Sequence, residues 1–77
     1  MSPADVRSFL NAEPFRPFTI YLSDASSVRV VDPSHATVIQ GMVYVGVEPD
    51  VDNFPKYGIH VNLRQITRIE TDMQDAA

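Results

Sequence analysis

Polar and apolar residues alternate along most of the chain, which is the pattern of strands with one face buried. The clearest stretch begins at Phe18, where Phe18, Ile20 and Leu22 share one face. The same period of two recurs in several further stretches. We predict strands over 18–23, 28–31, 36–40, 42–47, 59–64 and 67–70, with 42–47 alternatively forming the outer half of a long hairpin.

Short polar clusters separate these strands. Asp24-Ala25-Ser26 and Asp32-Pro33-Ser34 are composed of turn-forming residues, although the first lacks the glycine that suits a tight hairpin. Gly41 predicts a bend or bulge between two strands. The alternation slips near 63–66, which favours a single 3₁₀ turn before the last strand.

The N-terminus follows a helical period instead. Ser2 supplies a capping hydroxyl, Pro3 suits the first helical position, and Asp5 lies three residues after the cap. Val6, Phe9 and Leu10 then follow at helical spacing. We predict one short helix over 3–11, within segment 1–12, followed by a proline-rich connector over 14–18.

One helix and about five short strands have few stable arrangements, because a sheet with one apolar face must close on itself or be covered. We predict a mainly β single domain over 1–77. Its N-terminal α-helix precedes a five-stranded, strongly bent antiparallel small barrel over 18–70, and a frayed tail covers 71–77. The predicted core contains Phe9, Ile20, Leu22, Val30, Val43, Val45, Val61 and Ile69.

Segment 48–58 shows neither period and is predicted to be the one long loop. Its aromatic residues, Phe54 and Tyr57, have two interpretations. They are partner-binding anchors if exposed, or a latch holding the loop on its own barrel if buried. Burying two rings would stabilise so small a domain, which favours the latch.

The composition is that of a globular domain, with 44% hydrophobic and 21% charged residues and a net charge of −4. Acids concentrate in the predicted loop and tail. The chain has no cysteine, which excludes thiol catalysis, disulfides and thiolate metal sites. No apolar stretch approaches the length of a membrane span, and no signal-peptide pattern is present. We expect a cytoplasmic protein without membrane association.

The order of one helix, five strands and a 3₁₀ turn before the last strand resembles the Sm-like small barrels, including the Hfq type. The local likeness lies in 20–24 and 66–69. The chain is still more similar to a group of small bacterial proteins without an assigned activity, which share a Pro-Phe-Arg-Pro-Phe opening, here 14–18. The resemblance implies the small-barrel fold. In Sm-like proteins a polar and a basic residue after the fourth strand bind RNA, and Asn62 and Arg64 correspond to them.

Candidate chemistry is sparse. Asp32, His35 and His60 are potential metal ligands, but zinc takes three or four converging ligands, and the Asp32-to-His35 string is also typical of a self-capped turn. Asp50 and Asp52 fall in the predicted exposed loop. The serines lack a partner base, and no glycine-rich phosphate loop is present. We therefore expect no enzyme activity, metal or cofactor.

Two binding hypotheses remain. Segment 58–70 is proline-free and rich in Ile and Val, which predicts homo-oligomer formation through its strand edges. We expect an assembly or protein-interaction module. The alternative is a single-stranded RNA-binding protein, although the net negative charge opposes it. A second alternative is a small-ligand or enzymatic site near Asp32, His35 and His60. The candidate RNA-binding residues are Tyr21, Arg29, Tyr44, Arg64 and Arg68, and the candidate partner-binding residues are Phe54, Tyr57, Asn62, Arg64 and Arg68.

Overall fold

The computed structural model describes residues 1–49, 52 and 54–72, so Asp50 and positions 73–77 of the predicted tail lie outside the described residues. Its described part contains one helix and six strands. Their bounds are α1 Pro3–Leu10, β1 Phe18–Leu22, β2 Ser27–Val30, β3 Ala36–Ile39, β4 Met42–Pro49, β5 Pro55–Asn62 and β6 Ile66–Thr71. Two 3₁₀ turns lie at Pro33–His35 and Leu63–Gln65. Within the described ranges, no helix is long and apolar enough to cross a bilayer.

A capping box starts α1, as the sequence predicts. The backbone N–H of Asp5 donates to Oγ of Ser2 over 3.3 Å, and the backbone N–H of Ser2 donates to Oδ2 of Asp5 over 3.0 Å. Each side chain thereby satisfies a backbone donor that the helix leaves open. The helix ends at Leu10, with Asn11 as its C-cap residue.

Aromatic packing fixes the helix and the connector on the core. Val6 is fully buried on the inner face of α1. The ring centroid of Phe18 lies 5.4 Å from that of Phe9 and 6.0 Å from that of Phe15. Aromatic pairs at these separations add to the stabilisation from burial alone. Phe18 is thus fully buried between the helix and the connector, and half-buried Phe15 packs against the core.

The first sheet has the antiparallel order β2-β1-β6. Ile20 lies opposite Val28 on one side and Ile69 on the other, which places apolar side chains on its inner face. Between β1 and β2, Ala25 adopts a left-handed conformation with φ of 73°. Oδ1 of Asp24 accepts a hydrogen bond of 2.9 Å from the backbone N–H of Ser26, which stabilises this turn.

The second sheet has the antiparallel order β3-β4-β5. Its β4–β5 hairpin runs from the pair Val43 and Val61, through Gly46 and Gly58, to Pro49 and Pro55. The predicted long loop over 48–58 is therefore wrong at both of its ends. A proline is compatible with the first residue of an edge strand, and the glycine pair hides the strand's alternation.

The mainly β fold with an N-terminal helix is confirmed, but in the described part of the chain the strands form two separate three-stranded sheets and no closed barrel. The predicted single sheet is interrupted between β2 and β3. There Oδ1 of Asp32 caps the turn by accepting a hydrogen bond of 2.9 Å from the backbone N–H of Ser34. Pro33 lacks a backbone donor for strand pairing, so the chain turns before β3 begins.

The core lies between the inner faces of the two sheets and α1. Five predicted core residues are buried, namely Ile20, Val30, Val43, Val45 and Val61, whereas Phe9, Leu22 and Ile69 are half-buried and pack against the core. The core also includes Val6, Phe18, Val28, Leu63 and Ile66, which the prediction left out. Leu63 begins the second 3₁₀ turn and Ile66 follows it, and the alternation of buried and exposed residues is interrupted between them.

Candidate functional site

The outer face of the first sheet carries charges that neutralise one another. The guanidinium of Arg29 forms an ion pair with the carboxylate of Asp72, and Nη1 donates to Oδ1 over 2.9 Å. The hydrogen bond from Arg29 lowers the pKa of Asp72. Because Asp72 follows β6 and Arg29 lies on β2, the pair spans the width of the sheet.

A second cluster on this face joins β1 and β6. Nε of Arg68 donates to Oε2 of Glu70 over 2.7 Å, and the hydroxyl of Tyr21 donates to Oε1 over 3.2 Å. The guanidinium carbon of Arg68 also lies 4.0 Å from the ring centroid of Tyr21, a cation–π contact. Hydrogen bonds, first from Arg68 and then from Tyr21, lower the pKa of Glu70. Three candidate RNA-binding residues, Tyr21, Arg29 and Arg68, thus contact carboxylates on their own sheet.

The other candidate RNA-binding residues belong to a different surface. Tyr44 lies opposite His60 on the second sheet, with ring centroids 4.2 Å apart in an edge-on arrangement. Oδ1 of Asn62 accepts a hydrogen bond of 2.9 Å from the backbone N–H of Arg64, which caps the second 3₁₀ turn. The structure therefore divides the RNA-binding candidates between two sheets.

The potential metal ligands do not form one site. Asp32 caps its own turn, where Oδ1 also accepts a hydrogen bond of 2.7 Å from the hydroxyl of Ser34. His35 is buried with 7% exposure at the end of that turn, whereas His60 is exposed on β5. Within the described ranges, no three His, Cys, Asp or Glu side chains form a group that could hold a metal ion.

The aromatic residues of segment 48–58 are exposed. Phe54 is 70% exposed and Tyr57 is 53% exposed. A latch would require both rings to be buried on their own domain, so the latch interpretation is wrong. The interpretation that these residues contact a partner stays a prediction, and exposed aromatic residues are typical anchors of such contacts.

A groove that the sequence analysis missed lies between β2 and the outer half of the β4–β5 hairpin. Its volume is about 330 Å³. On one side it is lined by Ser27, Arg29 and Val31, and on the other by Val47, Tyr57 and Ile59. The sequence pattern that indicates this groove is the alternation of apolar residues along β4, which continues from the buried Val45 to Val47. Val47 lies opposite Tyr57 on β5.

Four strands lie at the edges of the two sheets. They are β2 and β6 in the first sheet and β3 and β5 in the second. The segment predicted to present edges, 58–70, comprises the end of β5, the second 3₁₀ turn and nearly all of β6. It therefore contains two edge strands from different sheets, separated by a turn of three residues.

No protein-family model, curated protein sequence or solved structure matches this chain. The expected likeness to Sm-like barrels therefore stays a prediction.

Proposed function

We propose that this chain is a non-enzymatic assembly module with an Sm-like arrangement of strands, acting in the cytoplasm. β2 and β3 follow each other with only a short capped turn between them. If they are counted as two halves of one bent strand, the chain has one helix and five strand units. A 3₁₀ turn then precedes the last unit, which is the order that the resemblance to Sm-like barrels implies.

The observation that carries the proposal is the position of β5 and β6. Both are edge strands, and they belong to different sheets of the same chain. An edge strand presents backbone donors and acceptors that can pair with another chain. When two unlike edges pair, each copy can bind one neighbour on either side, which produces a head-to-tail ring or filament.

The size of the chain also supports self-association. A domain of 77 residues without a disulfide buries a smaller fraction of its surface than a larger domain does, so its own core supplies limited stability. β5 is eight residues long, and Lys56 is the one Lys, Arg, Asp or Glu on it, so few charges on this edge repel a neighbour. Pairing these edges would extend both sheets and bury additional apolar surface.

Charge variants on the two edges test this arrangement. His60→Glu on β5 combined with Thr67→Glu on β6 places like charges on the two edges that would meet. We expect light scattering at tens of micromolar to show a multimer for the unmodified chain and a smaller mass for this variant. His60→Glu with Thr67→Lys should restore the multimer, because the charges that meet are then opposite.

The matched control is Ala12→Glu with Gln40→Glu, which adds the same charge at exposed positions away from both edges. We expect it to retain the multimer. A monomeric mass for the unmodified chain, independent of concentration, would refute the proposal. Equal masses for the edge and control variants would show that other surfaces hold the copies together.

Single-stranded RNA binding is the second candidate, and one observation favours it. Half-buried Tyr44 on β4 and exposed His60 on β5 form an aromatic pair, and Arg64 lies two positions after the end of β5. No carboxylate forms an ion pair with Arg64 among the described residues. Aromatic rings that stack on bases, beside a cation that contacts phosphate, are the components of such a site.

A fluorescence titration with single-stranded RNA at low and moderate salt tests this candidate. We expect binding at low salt that weakens as salt rises, and weaker binding for Arg64→Gln. Arg29→Gln is the matched control, since Arg29 already contacts Asp72. An absence of binding at the lowest salt would exclude the candidate.

A further inference from the structure

The first sheet covers only part of the second. On the inner face of the β4–β5 hairpin, cross-strand pairs follow one another from Val43 and Val61 towards Pro49 and Pro55. That first pair is buried, but Ile59 and Val47 are only half-buried, and Tyr57 is 53% exposed. The half of this apolar face that is farther from Val43 and Val61 therefore extends beyond β2, the edge strand of the first sheet.

The uncovered face lies beside an open strand edge. β2 pairs with β1 along one side, and its other side is the edge of the first sheet. Residues 27–29 and 31 from this edge form one wall of the groove, and Val47, Tyr57 and Ile59 form the opposite wall. A strand added to β2 would lie roughly 4.8 Å from it. That position places the added strand over the uncovered half of the hairpin.

The charges around the groove limit what can occupy it. Among the residues that the structure describes, Arg29 is the one charged residue that lines it, and Asp72 already neutralises this guanidinium. The remaining wall residues are uncharged, so the side chains that enter the groove should be apolar. The whole chain carries a net charge of −4, which favours a partner with basic residues outside the groove.

We propose that the groove between β2 and the β4–β5 hairpin binds an extended peptide segment of a partner protein, as a fourth strand of the first sheet. The segment pairs with the backbone of β2 and places alternate apolar side chains against Val47, Tyr57 and Ile59. It carries lysine or arginine at its ends. The four residues of β2 together with Val31 correspond to a bound segment of roughly 17 Å. The site uses side chains on the inner face of β5 but not the backbone edge of β5 or β6, so it differs from the edges of the proposed self-assembly.

A synthetic peptide provides the probe: fluorescein-labelled Lys-Lys-Val-Thr-Val-Thr-Val-Lys-Lys. Fluorescence anisotropy should show saturable binding to the full chain. The same peptide with proline in place of its central valine should bind at least tenfold more weakly, because proline removes a backbone donor and disfavours strand pairing. Replacing the four lysines with glutamate should also weaken binding, and this loss should diminish at high salt.

Variants of the protein locate the site. Tyr57 is 53% exposed and Val31 is 45% exposed, so the variants Tyr57→Ser and Val31→Ser should both fold. Melting curves followed by circular dichroism check that they do. Each should raise the Kd of the peptide at least fivefold. Ile39→Ser is the matched control, since Ile39 is 49% exposed on β3, outside the groove, and it should leave the Kd unchanged. Amide resonances of 27–31 should shift on peptide addition in the NMR spectrum.

Several results would overturn the proposal. They are an absence of binding at millimolar peptide, equal binding of the valine and proline peptides, or an unchanged Kd for Tyr57→Ser. Resonance shifts confined to β5 and β6 would assign the peptide to the assembly edges instead. A multimer of the unmodified chain that Val31→Ser dissociates would assign the groove to a second copy. Loss of the multimer in the β5 and β6 charge variants, with peptide binding retained, would separate the two sites.

Discussion

The ring of Pro55 occupies the space in which a side chain on Gly46 would lie. A Cβ atom on Gly46 would be 2.4 Å from Cγ and 2.5 Å from Cβ of Pro55. These distances are far below van der Waals contact, and a proline ring has little freedom to move away. The close approach therefore requires glycine at position 46.

Gly46→Ala should destabilise the protein by about 1–3 kcal/mol, the usual cost of overpacking a tight contact. Gly58, its cross-strand neighbour, is the matched control. A Cβ atom there would meet only the carbonyl oxygen of Val45, at 3.8 Å, so Gly58→Ala should leave stability unchanged or raise it by up to about 1 kcal/mol. Urea denaturation of both variants measures the difference, and equal midpoints would contradict this account of the hairpin.

Ile20→Ala should cost about 2–5 kcal/mol, because it removes a fully buried side chain at the centre of the first sheet. This is a large share of the stability of a small domain. Ile39→Ala deletes the same atoms at a position that is 49% exposed and should cost much less. A denaturation midpoint for Ile20→Ala close to that of Ile39→Ala would show that the core is placed wrongly.

Ala25→Gly should stabilise the turn between β1 and β2. An L-residue in the left-handed region costs roughly 1–2 kcal/mol, and glycine avoids this cost while losing more entropy on folding. The expected net gain is up to about 1 kcal/mol, seen as a rise in Tm. Ala12→Gly, at an exposed position with an ordinary φ, should give no gain. A lower Tm for Ala25→Gly would contradict the left-handed geometry.

Stability should fall in acid through Asp72 and Glu70. The pKa of each carboxyl is lowered in the folded state, by Arg29 and by Arg68 respectively. Their contribution is therefore complete above the unfolded carboxyl range near about pH 4, and it is lost as pH falls through the lowered folded values. Both pairs are exposed, so the effect should be small and should decrease in salt.

Melting curves from pH 7 to pH 2 measure this loss for the unmodified chain and for Arg29→Gln. The variant should show a shallower decrease of Tm below pH 4, because Asp72 then has nearly the same pKa in both states. Arg7→Gln, on α1, is the control that removes an equal charge. Identical pH profiles for the Arg29 and Arg7 variants would exclude a contribution from the Arg29–Asp72 pair.

The sequence predicts those elements whose signals are local. The capping box at Ser2, the alternation from Phe18 and the 3₁₀ turn before β6 all depend on neighbouring residues, and all three are confirmed. The β4–β5 hairpin was predicted too short, because Gly46 and Gly58 interrupt its alternation. A single-sheet barrel was predicted because alternation cannot show that the turn at Pro33 separates two sheets.

The candidate site was less predictable, since it depends on residues distant in the chain. Arg29 and Asp72 are 43 positions apart, so the sequence could not show that they neutralise each other. Tyr57 and Val31 lie in different sheets, and only the packing of β2 beside the hairpin places them along one groove. The exposure of Tyr57 follows from where the first sheet ends, which no local pattern records.

The two sheets differ in how far apart in the chain their partners lie. β3, β4 and β5 are consecutive, so each can pair with a strand that has only just preceded it. β1 instead pairs with β6, and the hydroxyl of Tyr21 bonds a carboxylate 49 positions later. Closing so long a loop costs more chain entropy than closing a hairpin. The second sheet can therefore form from pairings between consecutive strands, whereas the first sheet stays incomplete until β6 reaches β1.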